Sequence, residues 1–342
     1  GKYWERVCTL TEGPAAYSDL VIFPDGDMGI LYECGETNPY ETITFARIPA
    51  KTFNPEADKT VLLYPEGQDT DKGIVENGET VTLGPGESNG ITEAETRNKY
   101  GNVSLVGDKA RMEFYFPEKP NGQMVVVCPG GGYSTVCAIK EGEDVAKWMN
   151  KRGVTVCVVV YRLPNGHAKV PLTDVQNAFR YCRKHAAEWG ISQIGIMGFS
   201  AGGHLAASAS VLFTDSITRP DFSVLIYPVI DLAHHEGTRK ELVGDDNVLK
   251  EKYSLQNQIG EDTPRTFIAL CQDDKVVNPK SSLLYYNSLL DKGIKAEMYI
   301  FPTGGHGWGF LNEEISGRKD GLAGYRNIFG ECLGKFLDEV KK

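Results

Sequence analysis

Residues 194–206 read Ile194-Gly195-Ile196-Met197-Gly198-Phe199-Ser200-Ala201-Gly202-Gly203-His204-Leu205-Ala206. The opening residues form a short apolar run of strand type, and from Ala201 onward small and apolar residues continue as in a helix. Between them, Gly198-Phe199-Ser200-Ala201-Gly202 fits the pattern G-x-S-x-G. A serine on a strained strand-to-helix turn has its hydroxyl exposed, and small neighbours let the backbone fold tightly there. The N–H of Ala201, at the positive end of the helix, then faces any developing oxyanion. The plain alternative is a glycine-rich turn with an incidental serine. The strand before it and the helix after it argue for the first reading and make Ser200 the candidate nucleophile.

Working outward, short apolar runs recur at residues 124–128, 154–160, 194–197, 224–226, 267–270 and 298–301. Near-continuous apolar strands belong where helices cover both faces of a parallel sheet. Helix-like stretches lie between them, at 140–151, 172–187, 201–213, 280–291 and 320–341. This alternation predicts an α/β fold with a mostly parallel, doubly wound sheet and helices on both faces. Residues 231–263 break the rhythm and read as a polar, irregular excursion, a lid or substrate-binding segment. Residues 111–116 alternate as an antiparallel strand.

The amino-terminal part differs. Leu20 to Phe23, a turn at Pro24-Asp25-Gly26-Asp27 and Met28 to Tyr32 read as a β-hairpin, and residues 43–48 as one more strand. Three short strands bury too little to stand alone. The expected division is a short β segment at 1–50, an irregular connection at 51–102 and the α/β domain at 103–342.

The 342 residues carry a formal net charge of -10, with 41% hydrophobic and 24% charged residues. An acidic chain argues against nucleic acid as partner, because phosphate binding needs concentrated Lys and Arg. No window approaches the roughly 18 apolar residues of a membrane span. The eight cysteines form no CxxC pair, so neither a zinc site nor a redox motif is expected, and Cys128, Cys157 and Cys271 read as buried free thiols. No metal or other cofactor is expected. Oligomeric state is not legible.

The helpers of Ser200 follow from chain order. Pro129-Gly130-Gly131-Gly132-Tyr133 comes directly after the run 124–128. A glycine-rich loop there supplies further oxyanion-hole N–H groups, here Gly131 and Gly132 beside Ala201. The acid comes next in the chain, and Asp273 and Asp274 both follow the run 267–270; Asp274 is the choice, with a capping role as its alternative. The base comes last. His306 lies in Thr303-Gly304-Gly305-His306-Gly307-Trp308 after the run 298–301. Of the other histidines, His204 reads as a packing or hydrogen-bonding residue one turn into the nucleophile helix, and His185 as a helix-surface residue. His167 reads as a loop residue near the pocket. Adjacent side chains diverge, so His234 and His235 make no metal pair.

Cys128-Pro129-Gly130-Gly131-Gly132-Tyr133, Tyr161-Arg162-Leu163-Pro164, Pro171-Leu172-Thr173-Asp174, Gly198 to Leu205 and Gly304 to Trp308 together resemble bacterial acetylxylan-esterase-like α/β hydrolases over roughly residues 100–342. The resemblance implies a metal-free Ser200–Asp274–His306 triad and a serine esterase acting on ester-decorated carbohydrates. Feruloyl esters are the alternative to acetyl esters. A pocket ending against Tyr133 or Trp308 suits acetyl, whereas an open aromatic cleft from 231–263 suits feruloyl. It also implies export to the periplasm or the medium, with a signal peptide already removed. A glycan-binding fold that has lost catalysis would lack a triad member, and all three are present; a strongly apolar lid, as in a lipase, is missing. Ala16 to Leu20, Gly29 to Glu33 and Ile43 to Arg47 resemble the carboxy-terminal end of a sialidase propeller, with Tyr17 where that family keeps its nucleophile. One blade cannot hold such a site, so no sialidase activity is expected. The fragment does bring O-acetylated sialic acid in beside xylan as a substrate to test.

Overall fold

The computed structural model describes residues 10, 13–23, 27–48, 59–62, 74–76, 79–81, 88–107, 110–310 and 321–341. They fall into two compact units, Gly1–Ala57 and Asp58–Lys342. The smaller unit is a three-stranded antiparallel sheet of β1 (Ala15–Ile22), β2 (Met28–Cys34) and β3 (Thr42–Ile48), with β2 in the middle. β1 starts earlier than the hairpin pattern suggests, and most of the expected turn, residues 24–26, lies outside the described residues. Tyr17, Leu20, Ile22 and Ile43 are exposed on this sheet. Three strands have too few neighbours to cover such side chains by themselves.

The larger unit begins with β4 (Lys59–Leu62) and two short antiparallel pairs, β5 (Ile74–Glu76) with β6 (Glu79–Val81) and β7 (Thr96–Arg97) with β8 (Val103–Ser104). After β9 (Arg111–Tyr115) strands and helices alternate: β10 (Gln123–Cys128), α1 (Asp144–Asn150), β11 (Thr155–Val160), α2 (Lys169–His185), β12 (Gln193–Phe199), α3 (Ser200–Val211) and β13 (Phe222–Ile226). Then come α4 (Glu236–Val243), α5 (Asn247–Lys252), β14 (Arg265–Cys271), α6 (Pro279–Asp291), β15 (Ala296–Phe301) and α7 (Arg326–Val340). One sheet runs in the order β15-β14-β13-β12-β10-β11-β9-β4. From β15 to β11 all pairings are parallel, while β9 pairs antiparallel with β11 and β4 antiparallel with β9.

Every residue of β10, β11, β12 and β13 is buried. Successive strand residues point to opposite faces, so complete burial requires cover on both. α2 packs with α3, and Trp148 of α1 stands over Gly330 of α7. This is the α/β arrangement expected from the alternating pattern.

Two stretches hold more structure than their composition suggests. Residues 51–102, expected as an irregular connection with few strands, supply β4 as an edge strand paired with β9, within the compact unit Asp58–Lys342. Backbone pairing at a sheet edge leaves little trace in composition. Residues 231–263 are also more ordered than their polarity suggests. They hold α4 and α5, capped by the His235 ring on Thr238 N–H and the Asp246 carboxylate on Val248 and Leu249 N–H. Leu242, Tyr253 and Leu255 are buried in this segment.

Beyond β11, Arg162 pairs with Asp174 of α2 with side chains only 2% and 0% exposed. Asp174 also accepts from the Arg162 N–H at 2.8 Å, which fixes the chain where it leaves the sheet. Removing one member strands the other charge in the interior. Asp174→Ala is therefore expected to cost about 3–5 kcal/mol, read as a lowered urea midpoint. A loss below about 1 kcal/mol would contradict this role.

Candidate active site

The turn between β12 and α3 places Ser200 at φ +53°, a conformation that costs a non-glycine residue roughly 1–3 kcal/mol. The surroundings enforce it. A Cβ on Gly198 would lie 2.1 Å from the Gly202 carbonyl oxygen, and one on Gly202 would lie 2.2 Å from that of Cys128. Neither position admits a side chain. The Ser200 carbonyl accepts from Val229 N–H at 3.0 Å, tying the turn to the chain after β13.

Residues 129–133 leave β10 beside this turn. A Cβ on Gly130 would be 3.0 Å from Ser200 Cβ, so the loop backbone lies directly against the nucleophile candidate. Gly131 has φ +135°, and its carbonyl accepts from Ser134 and Thr135 N–H at 3.2 and 3.1 Å. Gly132 and Tyr133 follow at φ +67° and +65°. On the other side Ala201 opens α3, where first-turn N–H groups have no acceptor within the helix. The structure thus sets Gly130 against Ser200, with Gly131 and Gly132 next along the same loop and Ala201 next along α3.

His306 Nε2 lies 2.8 Å from Ser200 Oγ, and its Nδ1 lies 2.7 Å from Asp274 Oδ2. The other Asp274 oxygen accepts from Val276 and Val277 N–H at 2.8 and 2.9 Å, which aims the carboxylate. Nδ1 therefore carries the proton given to Asp274, and Nε2 is free to take the one on Ser200. The adjacent carboxylate has a different job. Asp273 accepts from Gly304 and Gly305 N–H at 3.3 and 2.8 Å and so holds the histidine loop. Neighbouring residues face apart, and only Asp274 meets the ring. A hydroxyl held this way can attack an electrophilic carbonyl while the imidazole takes its proton.

Tyr133 and Trp308 are each 1% exposed. Tyr133 Oη lies 3.0 Å from His204 Nδ1, and His204 Nε2 lies 2.8 Å from the Tyr253 carbonyl oxygen. A carbonyl needs a donor, so Nε2 bears the hydrogen and Nδ1 accepts from the tyrosine. Burial lowers the His204 pKa to about 4, which keeps the ring neutral. Trp308 stacks edge-on against Tyr227 at 4.9 Å. Of the remaining histidines, His235 feels the charges of His306 and Asp274, and burial, then His306, lowers its pKa. His234 turns to Asp231, His185 packs on Tyr181 and Trp189, and His167 is exposed in its loop.

Sequence reasoning passed over Glu141 and Tyr227. Glu141 lies in Glu141-Gly142-Glu143-Asp144 within the helix-like stretch 140–151, and its acidic neighbours mark it no more than themselves, yet it is 2% exposed. Tyr227 takes φ +36° and lays its ring 4.8 Å from that of His306. Burial, then the Glu141 carboxylate, pushes its phenol well above the ordinary value, so it remains a hydrogen-bond donor.

Fold and site together give the α/β-hydrolase fold with a serine, a histidine and an aspartate in line. A family model described as alpha/beta hydrolase fold matches residues 125–259. The chain is 37% identical over 230 residues to an acetylxylan esterase of Xylanibacter ruminicola, covering 64% of this chain and 48% of that protein. It thus spans about half the length of that relative. A crystal structure of an acetyl ester-xyloside bifunctional hydrolase from Caldicellulosiruptor lactoaceticus superposes with a TM-score of 0.63 at 28% identity, over 83% of this chain and 97% of that one. A stretch of 43 residues is 46% identical to sialidase-3 of Mus musculus, covering 12% of this chain and 10% of that protein. The resemblance to acetylxylan-esterase-like hydrolases, with a sialidase-like fragment, is borne out.

The two adjacent aspartates can be told apart by reaction of Ser200 with a fluorophosphonate. Asp274→Ala is expected to slow labelling by about 10³-fold or more, and Asp273→Ala far less. Equal effects would contradict the assignment of the acid.

Proposed function

We propose that the larger unit is a serine carbohydrate esterase that removes O-acetyl groups from glycans through an acyl-enzyme. The observation that carries this reading is the line of hydrogen bonds Asp274–His306–Ser200 beside the glycine loop. His306 takes the Ser200 proton as Oγ bonds to the ester carbonyl carbon. The carbonyl oxygen becomes an oxyanion facing the N–H groups of Gly131, Gly132 and Ala201, and loss of one such donor typically costs ~10²–10³ in turnover. Collapse breaks the bond to the sugar oxygen, which leaves with the proton from His306. Water then attacks the acetyl-serine, again giving its proton to His306, and acetate departs as Ser200 is restored. Asp274 stabilises the imidazolium in both steps.

A small acyl group suits this site. Tyr133 reaches His204 in the helix that Ser200 opens, Trp308 packs on Tyr227 whose ring meets His306, and both side chains are buried; this supports bulky walls beside a small acyl group rather than an open aromatic cleft. Similarity to a protein named acetylxylan esterase supports xylan as the first substrate to try, with O-acetylated sialic acid as comparator. A polymeric glycan is met outside the cytoplasmic membrane, so we place the enzyme in the periplasm or the medium, acting in polysaccharide degradation. Among the described residues no helix is long and apolar enough to cross a membrane.

The protein is expected to release acetate from acetylated xylan and p-nitrophenol from p-nitrophenyl acetate. Ser200→Ala should lower both rates by about 10⁴-fold or more with the fold intact. Activity retained in that variant would overturn the mechanism. A clear preference for methyl ferulate over acetylated xylan would overturn the choice of acyl group.

A further inference from the structure

Glu141 is a buried carboxylate that the esterase steps above do not use. It follows the glycine loop in a π-helical turn, Ile139–Glu143, an irregularity that recurs at functional sites. Oε2 accepts from Gly130 N–H at 2.7 Å. Oε1 accepts from the Tyr227 hydroxyl at 3.0 Å, and Lys140 Nζ stands 3.6 Å from the same oxygen. The Tyr227 hydroxyl in turn accepts from Gly309 N–H at 2.9 Å, and Lys140 Nζ donates to the Gly307 carbonyl at 3.1 Å. One carboxylate therefore ties the loop on one side of Ser200 to the loop that carries His306 on the other.

Burying a carboxylate costs free energy unless donors surround it, and here an amide, a phenol and an ammonium group do. Its position answers a problem posed by the sequence. Three consecutive glycines, Gly130 to Gly132, leave the loop backbone many alternatives, and an oxyanion hole works only if its N–H groups are fixed before reaction. Holding the Gly130 amide fixes the peptide plane at which the loop leaves β10. Holding Tyr227 fixes the ring that packs on His306.

We infer that Glu141 is a positioning residue that sets the oxyanion loop and the histidine loop in register. The inference rests on the esterase reading of Ser200. Without the carboxylate, the Gly130 N–H and the Tyr227 hydroxyl lose their acceptor, and the glycine loop samples conformers that stabilise no oxyanion. Turnover falls, whereas substrate binding, which depends on the cleft, changes little. Glutamine keeps an oxygen for Gly130 N–H, and its amide donates to the Tyr227 hydroxyl, so it restores most of the geometry.

The test compares Glu141→Ala, Glu141→Gln, Tyr227→Phe and Ser200→Ala on p-nitrophenyl acetate, with circular dichroism as the fold control. A short alkyl trifluoromethyl ketone, whose serine adduct carries an oxyanion, serves as direct probe of the hole. Glu141→Ala is expected to lower kcat by about 10²-fold with KM within about threefold, and to weaken ketone binding in parallel with kcat/KM. Glu141→Gln should recover to within about tenfold of the parent, and Tyr227→Phe should lose about tenfold in kcat. A folded Glu141→Ala with kcat within about threefold of the parent, or one that loses turnover but binds the ketone as before, overturns the inference. Should Glu141→Ala fail to fold, full kcat in Tyr227→Phe overturns it and the stated tenfold loss supports it. An active Ser200→Ala would bring down the esterase reading itself, whereas an inactive Ser200→Ala beside a fully active Glu141→Ala removes this inference alone.

Discussion

Two stretches of backbone cross within contact distance at the carboxyl ends of β10 and β12, and the rest of the site depends on that crossing. The Gly202 position lies against the carbonyls of Cys128 and Pro129, and the Gly130 position against Phe199 and Ser200. Side chains at these points would push the two strands' exits apart. With glycine there, the turn can hold Ser200 in a conformation that few residues adopt, and the loop after β10 can lie alongside its hydroxyl. The parallel pairing of β10 with β12, with Cys128 opposite Gly198, sets the level at which the two exits meet. Everything that approaches later in the chain, first Asp274 and then His306, is placed against this pair.

The polar groups under the site are buried yet supplied with partners. His204 bridges Tyr133 and the Tyr253 carbonyl, and Glu141 bridges Gly130 and Tyr227. Groups of this kind are costly when half satisfied and rigidifying when complete. They sit where a glycine-rich backbone offers little stiffness of its own. The loops contribute mobility in principle, and the buried side chains remove it where catalysis needs fixed donors.

Much of this was legible in the sequence because it is local. The turn at Ser200, the glycine loop and the order serine, aspartate, histidine are written in short motifs, and the strands of the sheet centre announce themselves as apolar runs. The choice between Asp273 and Asp274 was not local. It depends on which of two adjacent side chains faces a ring brought from residue 306. Glu141 was hidden for the same reason, since its partner Tyr227 lies far along the chain and its own neighbours are acidic and polar. β4 escaped because edge pairing is a backbone interaction. The helices within 231–263 escaped because their side-chain pattern is weak and their caps, His235 and Asp246, are read only once the turn geometry is known.

The central claim is that Ser200 carries the acyl group between two half-reactions. The most direct measurement is mass spectrometry of the protein quenched in acid during turnover of an acetylated xylo-oligosaccharide. The account predicts a peptide containing Ser200 heavier by one acetyl group, present in the parent and absent from Ser200→Ala. Turnover with no acetylated Ser200 peptide in the quenched parent, or acetylation at another residue, would contradict it.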